Sequence, residues 1–208
     1  MLPQLIAENV NLHGLNVTIP YKEMVIPYLD VTDKGIWDVG AVNTIKIYRD
    51  LKKVRLKGFN TDIYGFSESL RPFIKPGAAN ALILGTGGSS KAVSAVLKSW
   101  NIHVTWVSRS PRGENQISYN QISPELIAAT KIIVNTSPVG MYPRVDSLPD
   151  IKYEYLTPDH ILFDLVYNPE ETLFLIKGKE KGATVINGLK MLYLQADKAW
   201  EIWNSDKL

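Results

Sequence analysis

Ala81-Leu-Ile-Leu-Gly-Thr-Gly-Gly-Ser-Ser-Lys91 is the stretch of sequence that decides the fold. Its first four residues form a short continuous apolar run, which is typical of a strand buried on both faces of a sheet. A glycine-rich turn follows, and the apolar spacing from Ser90 to Ser99 then predicts a helix. Strand, glycine turn and helix in this order favour a dinucleotide-binding unit over a plain glycine turn.

Each small residue of the turn has its own part in this prediction. Gly85 allows the tight turn, and Gly87 allows a pyrophosphate to approach the backbone. Gly88 and Ser89 open the helix, whose unpaired N–H groups and dipole favour the charge of phosphates. Ser90 stands where a third Gly or Ala is usual, and it is small enough to let the helix pack closely on the sheet.

Strands and helices continue to alternate after this unit. The predicted strands are His103–Ser108, Lys131–Asn135, His160–Val166 and Thr184–Asn187, and the predicted helices begin at Ser123 and span Thr172–Lys181 and 188–203. Such alternation indicates an α/β fold with a parallel sheet and right-handed crossovers. The first 60 residues are less regular, with β-like runs at 14–19 and 40–48 and a short helix over Lys22–Leu29 that breaks at Pro27.

The end of the second strand of the nucleotide unit bears on the choice of dinucleotide. An NAD site usually has Asp or Glu there, which accepts a hydrogen bond from the ribose 2′-hydroxyl. Here Ser108 is followed by Arg109 and then by Arg112. Guanidinium groups cannot accept from a hydroxyl, but they can bind a 2′-phosphate by charge-assisted hydrogen bonds. The sequence therefore favours NADP over NAD, and over a solvated basic loop.

Composition excludes several other classes of protein. Lys and Arg number 23 against 21 Asp and Glu, and this balance argues against a nucleic-acid binder that works by charge alone. With no Cys and three His, the chain supplies no disulfide scaffold or thiolate metal site, and no metal is expected. Since it has neither an apolar run of about 20 residues nor a basic leader with an apolar core, we expect a soluble cytoplasmic protein without a membrane span.

Polar residues cluster at three places in the first part of the chain. They lie in Asn16–Lys22, Gly40–Thr44 and Gly58–Asp62. Hydride exchange between an alcohol and a ketone needs a proton carrier beside the oxygen, and Lys22 can serve if Asp62 holds its charge. Taken alone, Lys22 is more simply a surface lysine, and Asp62 is more simply the N-cap of the helix that follows.

Seven segments, in order along nearly the whole chain, resemble the signatures of the shikimate dehydrogenase family. They are Asn16–Lys22, Ala41–Thr44, Asn60–Asp62, Gly85–Gly88, Asn135–Met141, Asp164–Pro169 and Asn187–Ala196. Each segment alone is weak evidence, but seven in register are very specific. On this resemblance the chain is identified as a member of the family.

The resemblance implies a reversible, NADP-linked reduction of 3-dehydroshikimate to shikimate, a step of aromatic amino-acid biosynthesis. It implies Lys22 and Asp62 as the catalytic pair, with Lys22 as the main acid and base. The residues that it implies at the substrate are Thr18, Asn43, Asp62, Tyr167 and Gln195.

The resemblance also implies further contacts with the cofactor. Gly188 and Met191 are implied near the nicotinamide, and Thr136 in backbone contact with the dinucleotide. Core packing is the alternative for Met191, and a simple strand-end turn is the alternative for Thr136. Arg109 and Arg112 match the family's clamp on the adenosine phosphate, in agreement with the ability of guanidinium groups to bind a 2′-phosphate.

The family architecture implies two α/β domains around a cleft. A Rossmann-like NADP-binding domain is implied at 62–187, and a smaller substrate domain at 1–61 and 188–208. Hinge closure would bring Lys22 to the nicotinamide and exclude water. The implied partner is a small-molecule substrate, with no nucleic acid and no membrane, and the implied state is a monomer or a homodimer.

The chain departs from the family pattern at its start, and alternatives follow. Family members open with a strand and a helix before the equivalent of Leu2, and with a Ser-x-Ser pair that holds the substrate carboxylate; nothing here matches them. A shortened substrate domain predicts weak substrate binding, and one alternative is a non-catalytic NADP-binding remnant. Another is an NAD-linked quinate/shikimate dehydrogenase, which Arg109 disfavours because an acidic residue is expected in its place.

Overall fold

Within the residues that the structure describes, six strands form one parallel sheet. The structure is a computed structural model that describes residues 2–34, 36–50, 53–74 and 77–205. The strands are β5 (Asn80–Leu84), β6 (His103–Val107), β7 (Gln116–Ile117), β8 (Ile132–Asn135), β9 (Ile161–Asp164) and β10 (Thr184–Ile186). Their spatial order is β10-β9-β8-β5-β6-β7. Strands β6 and β7 thus lie on one side of β5, and β8, β9 and β10 lie on the other. Ligand crevices form in open α/β sheets at the point where the strand order changes side in this way.

Helices cover both faces of this sheet. They are α4 (Thr61–Leu70), α5 (Gly88–Ser99), α6 (Pro124–Ala129), α7 (Leu173–Glu180) and α8 (Leu189–Asn204). Leu82 and Leu84 of β5 pack in one core with Phe174 of α7, whereas Ile83 packs in the opposite core with Phe66 of α4. This alternation confirms that β5 is buried on both faces. The predicted Rossmann-like parallel sheet is confirmed.

Several helix boundaries follow from local sequence signals. The Ser123 side chain caps α6 by accepting from the Leu126 N–H, and Pro124 fills the first helical position. Thr172 caps α7 in the same way. Gly182 follows α7 with a φ of +76°, a conformation that favours glycine. The helices predicted to begin at Ser123 and to span Thr172–Lys181 are confirmed as α6 and α7. Their ends are set by interactions between residues that are close in the sequence.

Four strands form a second, smaller sheet in the described part of the chain. They are β1 (Gly14–Asn16), β2 (Val31–Thr32), β3 (Thr44–Arg49) and β4 (Val54–Phe59), in the order β1-β3-β4-β2. Helices α1 (Leu2–Glu8), α2 (Tyr21–Met24) and α3 (Ile36–Val39) lie in the same part of the sequence. Ile6, Val25 and Ile45 belong to its core. Two sheets fit the predicted two-domain α/β class, while the boundaries at 1–61, 62–187 and 188–208 stay a prediction.

Local predictions in this smaller half are corrected in detail. The helix predicted over Lys22–Leu29 is α2 followed by a 3₁₀ turn at Ile26–Tyr28, with Pro27 inside the turn. The strand predicted over 14–19 ends at Asn16, because the chain soon turns into α2. Strand β4 is absent from the predicted elements, although Val54–Lys57 alternates apolar and charged residues as a half-buried strand does.

Helices α4 and α8 pack side by side and connect the two sheets. Gly65 of α4 lies so close to α8 that a Cβ there would be 2.7 Å from the Met191 carbonyl oxygen. Near the end of α8, Trp203 Nε1 donates to the carbonyl oxygen of Ile45 in β3 at 3.0 Å. The neighbouring Lys46 side chain donates to carbonyl groups at the same end of α8. Helix α8 is therefore attached to both halves of the molecule.

Candidate active site

Gly85, in the glycine-rich turn between β5 and α5, has a backbone conformation that favours glycine. Gly85 has a φ of +114°, and a Cβ there would lie 2.8 Å from Thr136 Oγ1. The Gly85 N–H donates to the Val107 carbonyl oxygen at 2.9 Å, and Thr136 Oγ1 donates to the Leu84 carbonyl oxygen at 2.9 Å. These bonds hold the turn against the ends of β6 and β8.

Gly87 leaves open space in front of the first turn of α5. It is the N-cap of the helix, and a Cβ there would meet nothing within 4 Å. The first N–H groups of a helix have no acceptor inside the helix and carry partial positive charge. Ser90 is buried, and its Oγ donates to the Gly87 carbonyl oxygen at 2.6 Å, so the serine fits where Gly or Ala is usual. The turn can therefore receive an anionic group such as a pyrophosphate.

Arg109 and Arg112 lie exposed on the loop that follows β6. The base of this loop is tied down, because the Ser108 N–H donates to the Ile117 carbonyl oxygen at 2.9 Å. Burial raises the pKa of Tyr119, and the positive charge of Arg109 nearby opposes that shift. The loop leaves the sheet at the same edge as the glycine-rich turn, so its two cations lie on the side where a nucleotide bound at the turn would extend.

A buried ion pair joins Lys22 to Asp62. Lys22 Nζ donates to Asp62 Oδ2 at 2.7 Å, and the two residues are only 9% and 6% exposed. Asn43 Nδ2 donates to the other carboxylate oxygen, Asp62 Oδ1, at 2.9 Å. Because both groups are largely removed from water, the ion pair and the amide hydrogen bond supply the polar partners that buried charged side chains require. The arrangement holds an ammonium group in one direction inside the protein.

Asn60, rather than Asp62, caps α4. Asn60 Oδ1 accepts from the Asp62 N–H at 3.1 Å, and Asn60 Nδ2 donates to the Ala41 carbonyl oxygen at 2.9 Å. The simple alternative that Asp62 is the N-cap is therefore wrong. Asp62 lies in the first turn of α4, where the helix dipole favours its negative charge, and its carboxylate faces Lys22.

A hydrogen-bonded network continues from Asn43 to the C-terminal helix. Asn43 Oδ1 accepts from the Thr61 N–H at 2.8 Å and from Thr44 Oγ1 at 3.0 Å. Thr61 Oγ1 donates to Gln195 Oε1 of α8 at 3.4 Å, and Gln195 Nε2 donates to the Leu192 carbonyl oxygen at 3.0 Å. Polar side chains from separate elements are thus oriented by one another.

These side chains line a cavity of about 330 Å³ that draws residues from both halves of the molecule. The lining residues are Asn16, Val17, Thr18, Lys22, Asn43, Asp62, Ser89, Leu165, Tyr167, Gly188, Met191, Leu192 and Gln195. Lys22 and Asp62 are the charged members of this lining. A cavity of this size with convergent polar groups suits a small polar ligand.

The cavity brings together many of the residues that the sequence analysis selects. All six catalytic and substrate candidates line it, namely Thr18, Lys22, Asn43, Asp62, Tyr167 and Gln195, together with the cofactor candidates Ser89, Gly188 and Met191. The other cofactor candidates lie outside this lining, namely Gly85, Gly87, Gly88, Ser108, Arg109, Arg112 and Thr136. Four further residues line the cavity without a role predicted from the sequence, namely Asn16, Val17, Leu165 and Leu192. They lie inside the quoted segments but carry no charge that would single them out.

Asp164, at the end of β9, is fully buried. Its Oδ1 accepts from Asn135 Nδ2 at 2.9 Å and from the Val166 N–H at 3.0 Å, and its Oδ2 accepts from Thr172 Oγ1 at 2.6 Å. Burial raises the pKa of Asp164 to about 6, although these three hydrogen bonds oppose the shift. The network fixes the start of the segment that carries Tyr167 into the cavity.

No group of three or more His, Asp or Glu side chains in the described ranges is placed to hold a metal ion. Within the same ranges, no helix combines the length and the apolar character needed to cross a bilayer.

Comparison with known proteins identifies the family. Residues 3–45 match the family model of the shikimate dehydrogenase substrate binding domain. The chain is also 37% identical, over 213 residues, to the shikimate dehydrogenase (NADP(+)) of Methanosphaera stadtmanae, an alignment that covers 95% of this chain and 74% of that protein. This chain belongs to the shikimate dehydrogenase family. The resemblance carried by the seven segments is confirmed.

Solved structures of proteins related to the shikimate dehydrogenase family share this fold. The shikimate 5-dehydrogenase of Thermus thermophilus in complex with NADP(H) and shikimate has a TM-score of 0.82 and 31% identity, covering 98% of this chain and 77% of that chain. A quinate dehydrogenase of Corynebacterium glutamicum in complex with NAD has a TM-score of 0.84 and 26% identity, with the same coverage. Because the fold is common to both, the loop after β6 is the feature that bears on the choice between NADP and NAD.

Proposed function

We propose that this chain catalyses the reversible NADP-linked reduction of 3-dehydroshikimate to shikimate, a step of aromatic amino-acid biosynthesis. The observation that carries the proposal is the buried Lys22–Asp62 pair, 2.7 Å apart, in a cavity that also includes Ser89 of the glycine-rich turn. Exchange between an alcohol and a ketone needs a proton carrier and a dinucleotide site at one place. Relatives named for this activity support the proposal.

Lys22 is the proposed acid and base. Its ammonium donates a proton to the ketone oxygen during reduction, and the neutral amine takes that proton from the hydroxyl in the reverse direction. When bound, the cofactor would supply the hydride as NADPH in the reduction and accept it as NADP⁺ in the reverse direction. Asp62 holds the ammonium by the 2.7 Å ion pair, so that the remaining N–H bonds keep a defined direction.

The substrate hydroxyls are the proposed ligands of the polar lining. Asn43, Asp62 and Gln195 bind them, and Thr18 and Tyr167 lie beside them. Amide, hydroxyl and carboxylate groups together supply the donors and acceptors that a polyhydroxy acid requires. Asn43 is already held by its neighbours, so less conformational freedom is lost when a substrate binds.

The glycine-rich turn and the loop after β6 fit NADP. The open space at Gly87 and the first-turn N–H groups of Gly88 and Ser89 suit the pyrophosphate. The exposed cations Arg109 and Arg112 suit the 2′-phosphate. The remaining proposed cofactor contacts are Gly85, Ser108, Thr136, Gly188 and Met191.

A steady-state assay with shikimate and NADP, followed by the absorbance of the reduced cofactor, tests the activity. Lys22→Ala and Asp62→Asn should each lower kcat by about 100-fold or more, because each removes one member of the proton-transfer pair. Lys177→Ala is the control, since this exposed lysine of α7 pairs only with Glu180 among the described salt bridges and should keep the wild-type rate. Full activity in both cavity variants, or no turnover by the wild-type chain, would refute the proposal.

Cofactor choice is tested at Arg109. Arg109→Ala should raise the KM for NADP by about ten-fold and the KM for NAD by less than about two-fold, because NAD lacks the 2′-phosphate. Arg55→Ala, at an exposed site on β4, is the control. Equal losses with the two cofactors would contradict the clamp, and faster wild-type turnover with NAD would favour the NAD-linked alternative.

The setting of this activity is also part of the proposal. We propose that the protein acts in the cytoplasm on small molecules, as a monomer or a homodimer. We propose a substrate domain at 1–61 and 188–208 and a dinucleotide domain at 62–187. The near balance of 23 basic and 21 acidic residues and the lack of Cys support this setting. Sedimentation velocity of the purified chain separates the monomer from the homodimer.

A further inference from the structure

Ser89 lies where the two halves of the molecule meet. Its Oγ accepts a hydrogen bond from Lys22 Nζ at 3.3 Å. Lys22 belongs to α2, in the part of the chain that forms the smaller sheet, whereas Ser89 belongs to the first turn of α5 on the parallel sheet. The two residues are 67 positions apart in the sequence, so only the packing of the two halves brings them together.

The aliphatic stem of Lys22 rests on the same turn. A Cβ at Gly88 would lie 3.3 Å from both Cβ and Cδ of Lys22, a distance tighter than ordinary side-chain packing. Gly88 therefore leaves room for the lysine because it has no side chain. Gly88 thus packs against the aliphatic part of Lys22, and the next residue, Ser89, accepts a hydrogen bond from its ammonium group.

The hydroxyl of Ser89 takes one of the three N–H bonds of the lysine. A second N–H bond points to Asp62 Oδ2 at 2.7 Å. Because Lys22 lines the cavity, the third N–H bond remains for an oxygen atom of the substrate. A lysine side chain has many rotamers, and two fixed N–H bonds define the direction of the third.

We propose that Ser89 is a positioning residue for Lys22 and that it couples occupancy of the glycine-rich turn to the direction of the ammonium group. The inference rests on the proposed function, since it assigns Lys22 the proton transfer. The N–H of Ser89 lies in the first turn of α5, where N–H groups point towards a bound anion, while its hydroxyl points to Lys22. An anion that fixes the backbone of Ser89 therefore also fixes the acceptor of the lysine.

Chemical labelling of Lys22 tests the contact without turnover. A pulse of acetic anhydride, read by mass spectrometry, measures the acylation rate of Lys22 in the purified chain. Ser89→Ala should raise this rate by about five-fold, because the ammonium loses one hydrogen-bond partner. The probe 2′-phospho-ADP-ribose carries the pyrophosphate but no nicotinamide. It should slow the acylation of Lys22 in the wild type and do so much less in Ser89→Ala.

Steady-state kinetics separate positioning from a general structural effect. Ser89→Ala should lower kcat by about five-fold, with a change of less than about two-fold in the KM for shikimate. Ser89→Thr keeps a hydroxyl group and should restore kcat. Ser99→Ala, at the other end of α5, is the matched control and should keep both parameters, since Ser99 Oγ bonds the Val96 carbonyl oxygen of its own helix.

The outcomes separate this inference from the proposed function. A wild-type acylation rate in Ser89→Ala, or an equal loss of kcat in the Ala and Thr variants, would overturn the role of the hydroxyl. An equal effect of 2′-phospho-ADP-ribose on the wild type and on Ser89→Ala would overturn the coupling. Absence of turnover in the wild type would instead refute the proposed function, and the acylation rates would still decide whether Ser89 holds Lys22.

Discussion

Gly87 and Gly88 are adjacent in the sequence but leave room for different neighbours. A Cβ at Gly87 would meet nothing within 4 Å, whereas a Cβ at Gly88 would press on the stem of Lys22. Gly87 has an extended backbone with a φ of −79°, and Gly88 lies in the first turn of α5, so both conformations accept other residues. An alanine substitution at either position therefore tests what occupies the space beside the residue, and it adds no backbone strain.

The two alanine variants should fail in different ways. Gly88→Ala should displace Lys22 and lower kcat by about ten-fold, with little change in the KM for NADP, because a small misplacement of a catalytic group is costly. Gly87→Ala should instead raise the KM for NADP, since its methyl group enters the space assigned to the pyrophosphate. Kinetics with each substrate varied separately measure both effects. The same pattern in the two variants would contradict this assignment of neighbours.

Asn60 and Asp62 show the limit of residue-scale prediction. Both are favourable N-cap residues, and they stand two positions apart at the start of α4. Asn60 takes the cap because its Nδ2 also bonds the Ala41 carbonyl oxygen, and this leaves Asp62 to pair with Lys22. Local propensity ranks the two nearly equally, so the partners supplied by distant parts of the chain decide between them.

At the scale of elements, the segment after β9 depends on the protonation of Asp164. Burial raises its pKa to about 6, so the folded chain binds this proton more tightly than the unfolded chain does. The stability contributed by the protonated carboxyl group is present at low pH and is lost as the pH rises through about 6. The loss amounts to at most about 3 kcal/mol of the free energy of unfolding.

Asp164→Asn should remove most of this pH dependence. Asparagine keeps an oxygen that can accept from Asn135 Nδ2 and the Val166 N–H, and it is neutral at every pH. Urea unfolding between about pH 4 and pH 7 should show a smaller fall in the free energy of unfolding than in the wild type. Asp146→Asn, at an exposed site, is the control and should keep the wild-type slope. Equal slopes in the wild type and in Asp164→Asn would contradict the prediction.

At the scale of the whole molecule, α8 connects the cavity to the smaller sheet. Met191 and Gln195 line the cavity from its first half, and Trp203 bonds the Ile45 carbonyl oxygen of β3 from its last turn. Gly14 of β1 lies against the same tryptophan, where a Cβ would be 2.2 Å from Trp203 Nε1. The position of the cavity residues on α8 therefore depends on contacts made at the far end of the helix.

Gly14→Ala should loosen this attachment. The added methyl group must displace Trp203, at an overpacking cost of about 1–3 kcal/mol. The Tm should fall by about 5 °C for a chain of this size, and the KM for shikimate should rise because Gln195 shifts with α8. Calorimetry and steady-state kinetics measure the two effects. Gly113→Ala is the control, since a Cβ there would contact only the flexible end of the Gln116 side chain, and equal Tm values in the two variants would contradict the prediction.

The sequence by itself determined the features whose causes lie within a few residues. The unit from β5 to α5 follows from an apolar run, a glycine that takes a positive φ and a helix start. The caps at Ser123 and Thr172 follow from side chains that bond an N–H three positions later. The two arginines after β6 are equally local. Dihedral preferences and short-range hydrogen bonds act between residues that are close in the sequence. The local sequence pattern therefore suffices to predict these features.

Only the tertiary structure decided how the catalytic candidates meet. Lys22 is 40 positions from Asp62 and 67 from Ser89, and Thr61 is 134 from Gln195, yet hydrogen bonds join each of these pairs. Such contacts depend on how α2, α4, α5 and α8 pack between the two sheets. That packing depends on the sum of many apolar contacts and close approaches, which no local spacing encodes. Because of it, Lys22, which local preferences alone would place on the surface, is buried in an ion pair with Asp62.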